Sequence, residues 1–379
     1  MHVKKKIIGF NLLFNSLGGS REQIKGLLNN INLYDNYKII IFSTLKNKIF
    51  IEKIKSKNLK IIYGNFLLNN VLIRVLYEQI ILPFLCIVFK IDLMFCPGNL
   101  SPIFLTKKKI QWIGTIGPFE REFYKNISYF KKIKYFTNKH LMISSAKTSD
   151  YVIFESNYAK NLFVKKFNIN EDKCKVITIG KSVKNNKINK KNKSLEFSIA
   201  CVSHIYAYKN FEVLIEAANI LKREKYNFKI YVAGSIQDKK YFKKLNNQIS
   251  KYDLINNIIF LEEVSREKVF EIYQNCFCLI NTSPIENFAY TLVEAMSCGV
   301  PIISTNTTAM PETCKDAALY FSPNDYKKLS SSIKNIFNSE NLRKKLSQLS
   351  IKRASEIYDY ETSNKKTIEL ISSLLKDIS

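Results

Sequence analysis

Glu286 and Glu294 stand with seven residues between them in Ser283-Pro-Ile-Glu286-Asn-Phe-Ala-Tyr-Thr-Leu-Val-Glu294-Ala-Met-Ser-Cys-Gly299-Val-Pro301. The first lies in a turn-like stretch. The second lies inside an apolar helix that stops at Gly299, after which Pro301 opens a β-branched run over residues 301–304. Helix N-terminal amides face phosphate or sugar oxygens well, and carboxylates accept hydrogen bonds from hydroxyls. The pattern therefore makes a place for a polyhydroxylated, phosphorylated ligand. Ordinary helix composition is the competing explanation, since Glu is a good helix former. Against it, Glu294 lies among Leu292, Val293, Ala295 and Met296, where an unpaired carboxylate is costly to bury. Either a hydrogen-bonded ligand or a nearby Lys resolves that cost.

Three further groups have the right chemistry. Gly18 and Gly19 follow the first strand candidate and precede an amphipathic stretch over residues 21–31, where glycines let amides approach a phosphate. Alone this signal is weak, and a tight turn is the reading the pair favours. No Gly-x-Gly-x-x-Gly accompanies them, so a dinucleotide fingerprint is unsupported. Lys209, in Ser203-His204-Ile-Tyr-Ala-Tyr-Lys209-Asn210, sits between a strand and a helix, where a flexible ammonium can meet a diphosphate. His204 is either a phosphate donor or a satisfied loop histidine, and the residues favour the second. His140 reads as structural and His2 is terminal.

Short β-branched runs alternate with amphipathic segments along the whole chain, which is the signature of parallel α/β architecture. Strands are expected at 5–10, 38–43, 59–63, 92–96, 110–115, 151–155 and 175–179, and again at 197–202, 228–233, 258–261, 278–281 and 301–304. Helices are expected at 211–224, 239–252, 266–274, 290–298, 325–337, 340–357 and 361–376. Between the two series, residues 181–194 are polar, cationic and without periodicity, as in a linker. At 379 residues the chain is long enough for two domains. The expected division is a first domain over 1–180, the linker 181–194, a second domain over 195–360, and a C-terminal helix in 361–379 packing back on the first.

Composition narrows the class. Hydrophobic residues make up 46% of the chain, so buried cores are expected and broad disorder is not. The net charge of +27 fits a polyanionic neighbour, although the abundance of Lys, Asn and Ile also fits compositional drift. The Lys residues are dispersed and no nucleic-acid motif accompanies them, so nucleic-acid binding is set aside. The eight cysteines form no Cys-x-x-Cys pair, and the three histidines lack ligand spacing with them; a metal site and a disulfide framework are not expected. The reducing cytoplasm fits such thiols. The N-terminus starts like a signal peptide, but Asn11, Asn15 and Gly18-Gly19 break its apolar run, and a first strand fits better. Residues 71–95 are the most apolar part of the chain, yet Arg74, Glu78, Gln79, Pro83, Lys90 and Asp92 interrupt them. They read as a helix packed on a sheet in preference to a helix lying on a bilayer.

The Glu286-to-Glu294 segment resembles the Glu-x7-Glu motif of retaining GT-B glycosyltransferases of family four, also called glycosyl transferases group 1. The likeness extends along nearly the whole chain: Gly18-Gly19, Ser149-Asp150 through Ser156, Lys175-Val-Ile-Thr-Ile-Gly180, Tyr208-Lys209-Asn210, and Asn306-Thr-Thr-Ala-Met-Pro311-Glu312. The resemblance implies two doubly wound Rossmann-like domains facing an interdomain cleft. It also implies that Glu286 lies near a donor sugar, that amides from Asn287, Phe288 and Ala289 approach sugar or phosphate, and that Glu294 holds ribose hydroxyls. Lys209 would neutralise the leaving diphosphate, with Gly18, Gly19 and His204 beside the donor. No metal or cofactor is implied beyond the nucleotide-diphosphate sugar itself. The departures are specific. Asn287 and Ala289 replace common glycines, His204 stands where an Arg is usual, Glu262 replaces a frequent Gly near the base pocket, and Thr115-Ile-Gly-Pro118-Phe119 lacks a His.

The expected function is sugar transfer from a nucleotide-diphosphate sugar to a lipid-linked oligosaccharide or polysaccharide acceptor. The setting is the cytoplasm, at an anionic inner membrane face. A nucleotide-sugar epimerase of the same fold and an inactive GT-B binding protein are the alternatives.

Overall fold

The computed structural model describes residues 5–14, 23–24, 26–28, 30, 37–52, 54, 59–125, 127–178, 180, 197–357 and 359–376. Gly18, Gly19 and the linker 181–194 lie outside them. The chain forms two compact units. One comprises Met1–Pro118, Ile133–Gly180 and Tyr358–Ser379; the other comprises Phe119–Lys132 and Lys181–Ile357.

The first unit is built on a seven-stranded sheet of β1 (Lys6–Leu12), β2 (Tyr37–Thr44), β3 (Leu59–Gly64), β4 (Leu93–Cys96), β5 (Lys108–Ile113), β6 (Tyr151–Phe154) and β7 (Cys174–Val176), in the order β3-β2-β1-β4-β5-β6-β7. All pairings are parallel. Strands covered on both faces read as near-continuous apolar runs, as Ile39-Ile-Ile-Phe42 does.

The closing helix, Tyr360–Lys376, belongs to this unit. Its Ile371, Leu374 and Leu375 pack with Ile24, Leu27 and Leu28. Gln23 Nε2 donates to Ser363 Oγ at 2.8 Å, and Ser363 Oγ donates to the Thr178 carbonyl at 2.8 Å. Gly180 makes the crossing possible: a Cβ there would stand 2.3 Å from the backbone of Asp359 and Tyr360.

The second unit has six parallel strands: β8 (Phe197–Val202), β9 (Phe228–Ala233), β10 (Ile258–Glu262), β11 (Cys278–Asn281), β12 (Ile302–Thr305) and β13 (Ala318–Phe321), in the order β10-β9-β8-β11-β12-β13. In both units the chain starts at the centre, winds to one edge, then jumps back to fill the other. That is the doubly wound arrangement, and its switch points fall between β1 and β4 and between β8 and β11. β13 was not expected: Ala-Leu-Tyr-Phe is short and has no β-branched residue, so only its pairing with β12 makes it a strand. β7 is shorter than expected, ending at Val176.

The apolar stretch after residue 71 forms a helix over Val71–Val88 with a π turn at Tyr77–Ile81. One face is packed in the core through Leu82 and Cys86. Glu78 is buried on that same face, with Arg74 Nε at 4.0 Å. Burial pushes its carboxyl up to about 7, against the pull of Arg74 and a hydrogen bond from Asn11. Because 7 exceeds the ordinary 4.5, the folded state holds the proton longer than the unfolded chain. Stability is then complete below pH 4.5 and falls as pH rises through 7. Glu78→Gln is expected to remove this loss, so its advantage over the parent in denaturant unfolding should grow by about 3 kcal/mol between pH 4.5 and pH 8. An advantage that stays flat with pH would show that the carboxyl does not titrate in this window.

Candidate functional site

Loops that leave the carboxyl ends of β8 and β11 emerge side by side, since these strands are neighbours at a switch point. The β8 loop carries His204 and Lys209. The β11 loop carries Glu286. Lys209 Nζ lies 2.5 Å from Glu286 Oε1, and both side chains are mostly buried. Burial alone pushes the ammonium down; the Glu286 carboxylate and the Tyr208 hydroxyl more than reverse it, so Lys209 titrates above the ordinary lysine range. Thr282 Oγ1 ties the two loops together by donating to the Lys209 carbonyl at 2.7 Å. Lys209 also sits 5.1 Å from the ring centroid of Tyr208, which packs against Tyr206 and Phe123.

The β8 loop is zipped to the loop after β9. Ile205 N–H donates to the Ser235 carbonyl, and Gln237 N–H donates back to the Ile205 carbonyl. Gly234 makes this approach possible. Its φ is +152°, and a Cβ would stand 2.2 Å from the Ser203 carbonyl oxygen. Ser235 N–H donates to His204 Nδ1 at 3.2 Å, with Ser235 Oγ 2.7 Å from the same nitrogen. An Nδ1 that accepts from an amide leaves the neutral ring's proton on Nε2. Burial, then the Lys209 charge, hold the His204 pKa below the ordinary histidine value against Glu263. His204 is thus a neutral imidazole with a fixed tautomer.

The β11 loop is clamped by threonines at the end of β12 and just after it. Thr305 Oγ1 donates to the Ser283 carbonyl at 2.6 Å and Thr307 Oγ1 to the Pro284 carbonyl at 2.8 Å. Glu286 N–H donates to Thr308 Oγ1 at 3.0 Å, and Ala309 N–H to the Glu286 carbonyl at 3.4 Å. Asn287 and Ala289 are buried. Ala289 occupies the N-cap of the helix Tyr290–Ser297, with φ −80° and no capping side chain. Asn287 is not among the residues of positive φ. Neither position therefore demands glycine. Glu262 does occupy such a conformation, with φ +54° at a bulge on β10.

Glu294 points from that helix to Arg266, whose Nη2 donates to Glu294 Oε1 at 2.9 Å and to the Tyr290 hydroxyl at 3.1 Å. The burial cost of Glu294 is thus met within the protein by a nearby cation, which is an Arg and not a Lys. Arg266 opens the helix Arg266–Asn275, which Ser265 caps. Nothing local in the sequence marks its pairing with a residue 28 positions on. Gly234 and the Thr305, Thr307 and Thr308 clamp were also missed, although the threonines are visible as a run after an apolar strand. Among the described residues no group of three or more His, Cys, Asp or Glu is placed to hold a metal ion. All eight cysteines are free.

The second unit thus sets a Lys–Glu pair and a helix start without a capping side chain at a switch point, where ligands of doubly wound sheets bind. Over residues 165–353 the chain belongs to the family described as glycosyl transferases group 1. It is 29% identical over 218 residues to the O-antigen chain mannosyltransferase RfbU of Salmonella typhimurium, a match covering 57% of this chain and 58% of that protein. It is 25% identical over 298 residues to the capsular polysaccharide biosynthesis glycosyltransferase CapM of Staphylococcus aureus, covering 72% and 73%. The fold is that of Anabaena Alr3699/HepE, solved in complex with UDP-glucose. There the TM-score is 0.73 at 17% identity, with 97% of this chain and 99% of that chain covered. The architecture is therefore GT-B, two Rossmann-like units on one chain.

Arg266→Ala should destabilise the protein by about 1–3 kcal/mol, less than the loss of a fully buried pair because Arg266 is partly exposed. Adding Glu294→Gln should recover most of that loss, and chemical denaturation of all four proteins in the cycle measures the coupling. Strictly additive effects would show that the pair contributes nothing.

Proposed function

We propose that this protein is a retaining glycosyltransferase that moves a sugar from a nucleotide-diphosphate sugar to a lipid-linked glycan during surface-polysaccharide synthesis, at the cytoplasmic face of a membrane. One observation carries the reading: the Lys209 ammonium and the Glu286 carboxylate are held together at the switch point, beside the start of the helix Tyr290–Ser297. The family match over residues 165–353 includes both, and the RfbU and CapM relatives are described as acting in O-antigen and capsule synthesis. HepE, with the same fold, was solved with UDP-glucose bound.

In this reading the donor diphosphate lies against Lys209 and the helix start. Charge builds on the leaving diphosphate as the glycosidic bond breaks, and an ammonium already fixed there stabilises it without reorganising. Lys209 keeps its proton across the neutral range, so that charge is always present. The neutral His204 donates through Nε2, contributing a hydrogen bond in place of a full charge. Glu286 accepts from sugar hydroxyls and Glu294 from the ribose, with the amides of Asn287, Phe288 and Ala289 near the phosphates. The incoming acceptor hydroxyl loses its proton to a donor phosphate oxygen, as the family resemblance implies.

The test is transfer from UDP-glucose and GDP-mannose to a membrane-extracted glycolipid acceptor. Glu286→Gln should lower kcat by about a hundredfold or more while thermal shift by the nucleotide diphosphate persists. Lys209→Ala should lose both. Wild-type rates in Glu286→Gln would remove the motif from the mechanism. Conversion of donor without acceptor would identify an epimerase, and nucleotide binding with no turnover across donors a binding protein.

A further inference from the structure

The helix Val71–Val88 carries two rows of side chains at four-residue spacing. Glu78, Leu82 and Cys86 form the inner row and are buried. Leu72, Leu76, Ile80, Phe84 and Val88 form the outer row, exposed by 71%, 59%, 64%, 61% and 53%. A four-residue repeat drifts around a helix of 3.6 residues per turn. The wider π turn at Tyr77–Ile81 removes part of that drift, so the outer row stays in line. An apolar stripe this long on a soluble unit calls for an occupant.

Charge argues what the occupant is. Residues 1–180 hold 29 Lys and Arg against 11 Asp and Glu, so +18 of the chain's +27 lies in fewer than half its residues. A second copy of this chain would bring the same charge and be repelled. Anionic lipid headgroups are attracted by it. Exposed Lys60 and Lys90 stand at the C-terminal end of the helix, Lys60 4.6 Å from the Phe89 ring centroid. Gln79 binds the Ser101 carbonyl and the Ile103 amide, and so ties to the helix a loop that bears Phe104, 80% exposed, and exposed Lys107. The helix is long and apolar enough to cross a membrane. Crossing would strip its inner row from the core and carry Arg74, Glu78 and Gln79 into hydrocarbon.

We infer that the outer row of Val71–Val88 lies in the plane of an anionic phospholipid surface, with its apolar side chains at the acyl boundary and the neighbouring lysines at the headgroups. This deepens the lipid-linked acceptor reading by naming the surface that meets the bilayer. Its test uses neither donor nor acceptor, so the two can fail separately.

The full-length protein is floated with vesicles of phosphatidylcholine alone or mixed with phosphatidylglycerol. It should rise with the anionic vesicles, weakly with the neutral ones, and less as salt increases. The triple variant Leu76→Gln, Ile80→Gln, Phe84→Gln should lose at least about tenfold in partitioning. Its melting temperature should be unchanged or higher, since all three positions are exposed. Lys60→Glu with Lys90→Glu should weaken binding to anionic vesicles only. Flotation of the triple variant like the parent would overturn the inference. So would a concentration-dependent dimer that the triple variant dissolves while neither protein floats. Retention in vesicles through an alkaline carbonate wash would overturn the in-plane placement in favour of a span.

Discussion

Lys209 and Glu286 are 77 residues apart in the chain and 2.5 Å apart in the fold, and the strand order joins them. A parallel sheet that starts at its centre must leave two loops diverging from adjacent strands, and here those are the loops after β8 and β11. Burial lowers the pKa of the Lys209 ammonium, and the carboxylate beside it more than reverses that, so the group stays charged. The same contact keeps Glu286 in place before any ligand arrives. Most other polar contacts of the second unit near this point hold the two loops at that separation.

The holding is done by backbone and short hydroxyl side chains, which lose little entropy on being fixed. Thr282 bridges the loops, threonines at the end of β12 and just after it clamp the second, and Gly234 lets the first lie against its neighbour. Loops held this way are fixed by packing and hydrogen bonds within the unit, as a preorganised site requires. The second carboxylate is handled differently. Glu294 pairs with Arg266, a planar donor fork that also reaches Tyr290 on the same helix as Glu294, so two acceptors on one helix fix the guanidinium that holds the carboxylate. Each carboxylate of the Glu-x7-Glu pair thus has its own cation. The charge of the two pairs is therefore balanced within the unit.

Much of this was legible in the residues, and the parts that were not share a cause. The alternation of strands and helices comes from local periodicity, so β8, β9 and β11 fall where the apolar runs put them. The Lys209 loop and the Glu286 loop could be placed after strands for the same reason. Their contact could be anticipated only through the switch-point rule and the family resemblance, because no spacing encodes it. Arg266 and Gly234 escaped because their roles depend on what another segment does: a carboxylate arriving from the next helix, a carbonyl arriving from the previous loop. β13 escaped because its strand character comes from β12. The apolar stretch over Val71–Val88 was ambiguous as sequence, since a four-residue repeat counts as helical on either face; burial decides which row is inside.

The glycine substitutions separate two reasons a family can favour glycine. At Ala289 the backbone is at φ −80°, and Asn287 also avoids positive φ, so any residue can adopt the conformation. What glycine would add there is closeness: no Cβ between an amide and a ligand oxygen. At Glu262 the reason is the conformation itself, since φ +54° is uncommon for a residue with a side chain and costs on the order of 1–3 kcal/mol. The bulge on β10 imposes that angle, and the Glu262 carbonyl accepts from Gly234 N–H at 2.7 Å, so a change at one glycine-like position is felt at the other. Positive-φ strain therefore lies at Glu262, beside the β8 loop, and at Thr308 (φ +50°), whose hydroxyl accepts from the Glu286 amide, whereas residues 285–289 themselves adopt their path without it. Asn287 and Ala289 thus carry a Cβ where the resemblance leads one to expect glycine, at positions whose backbone does not call for it.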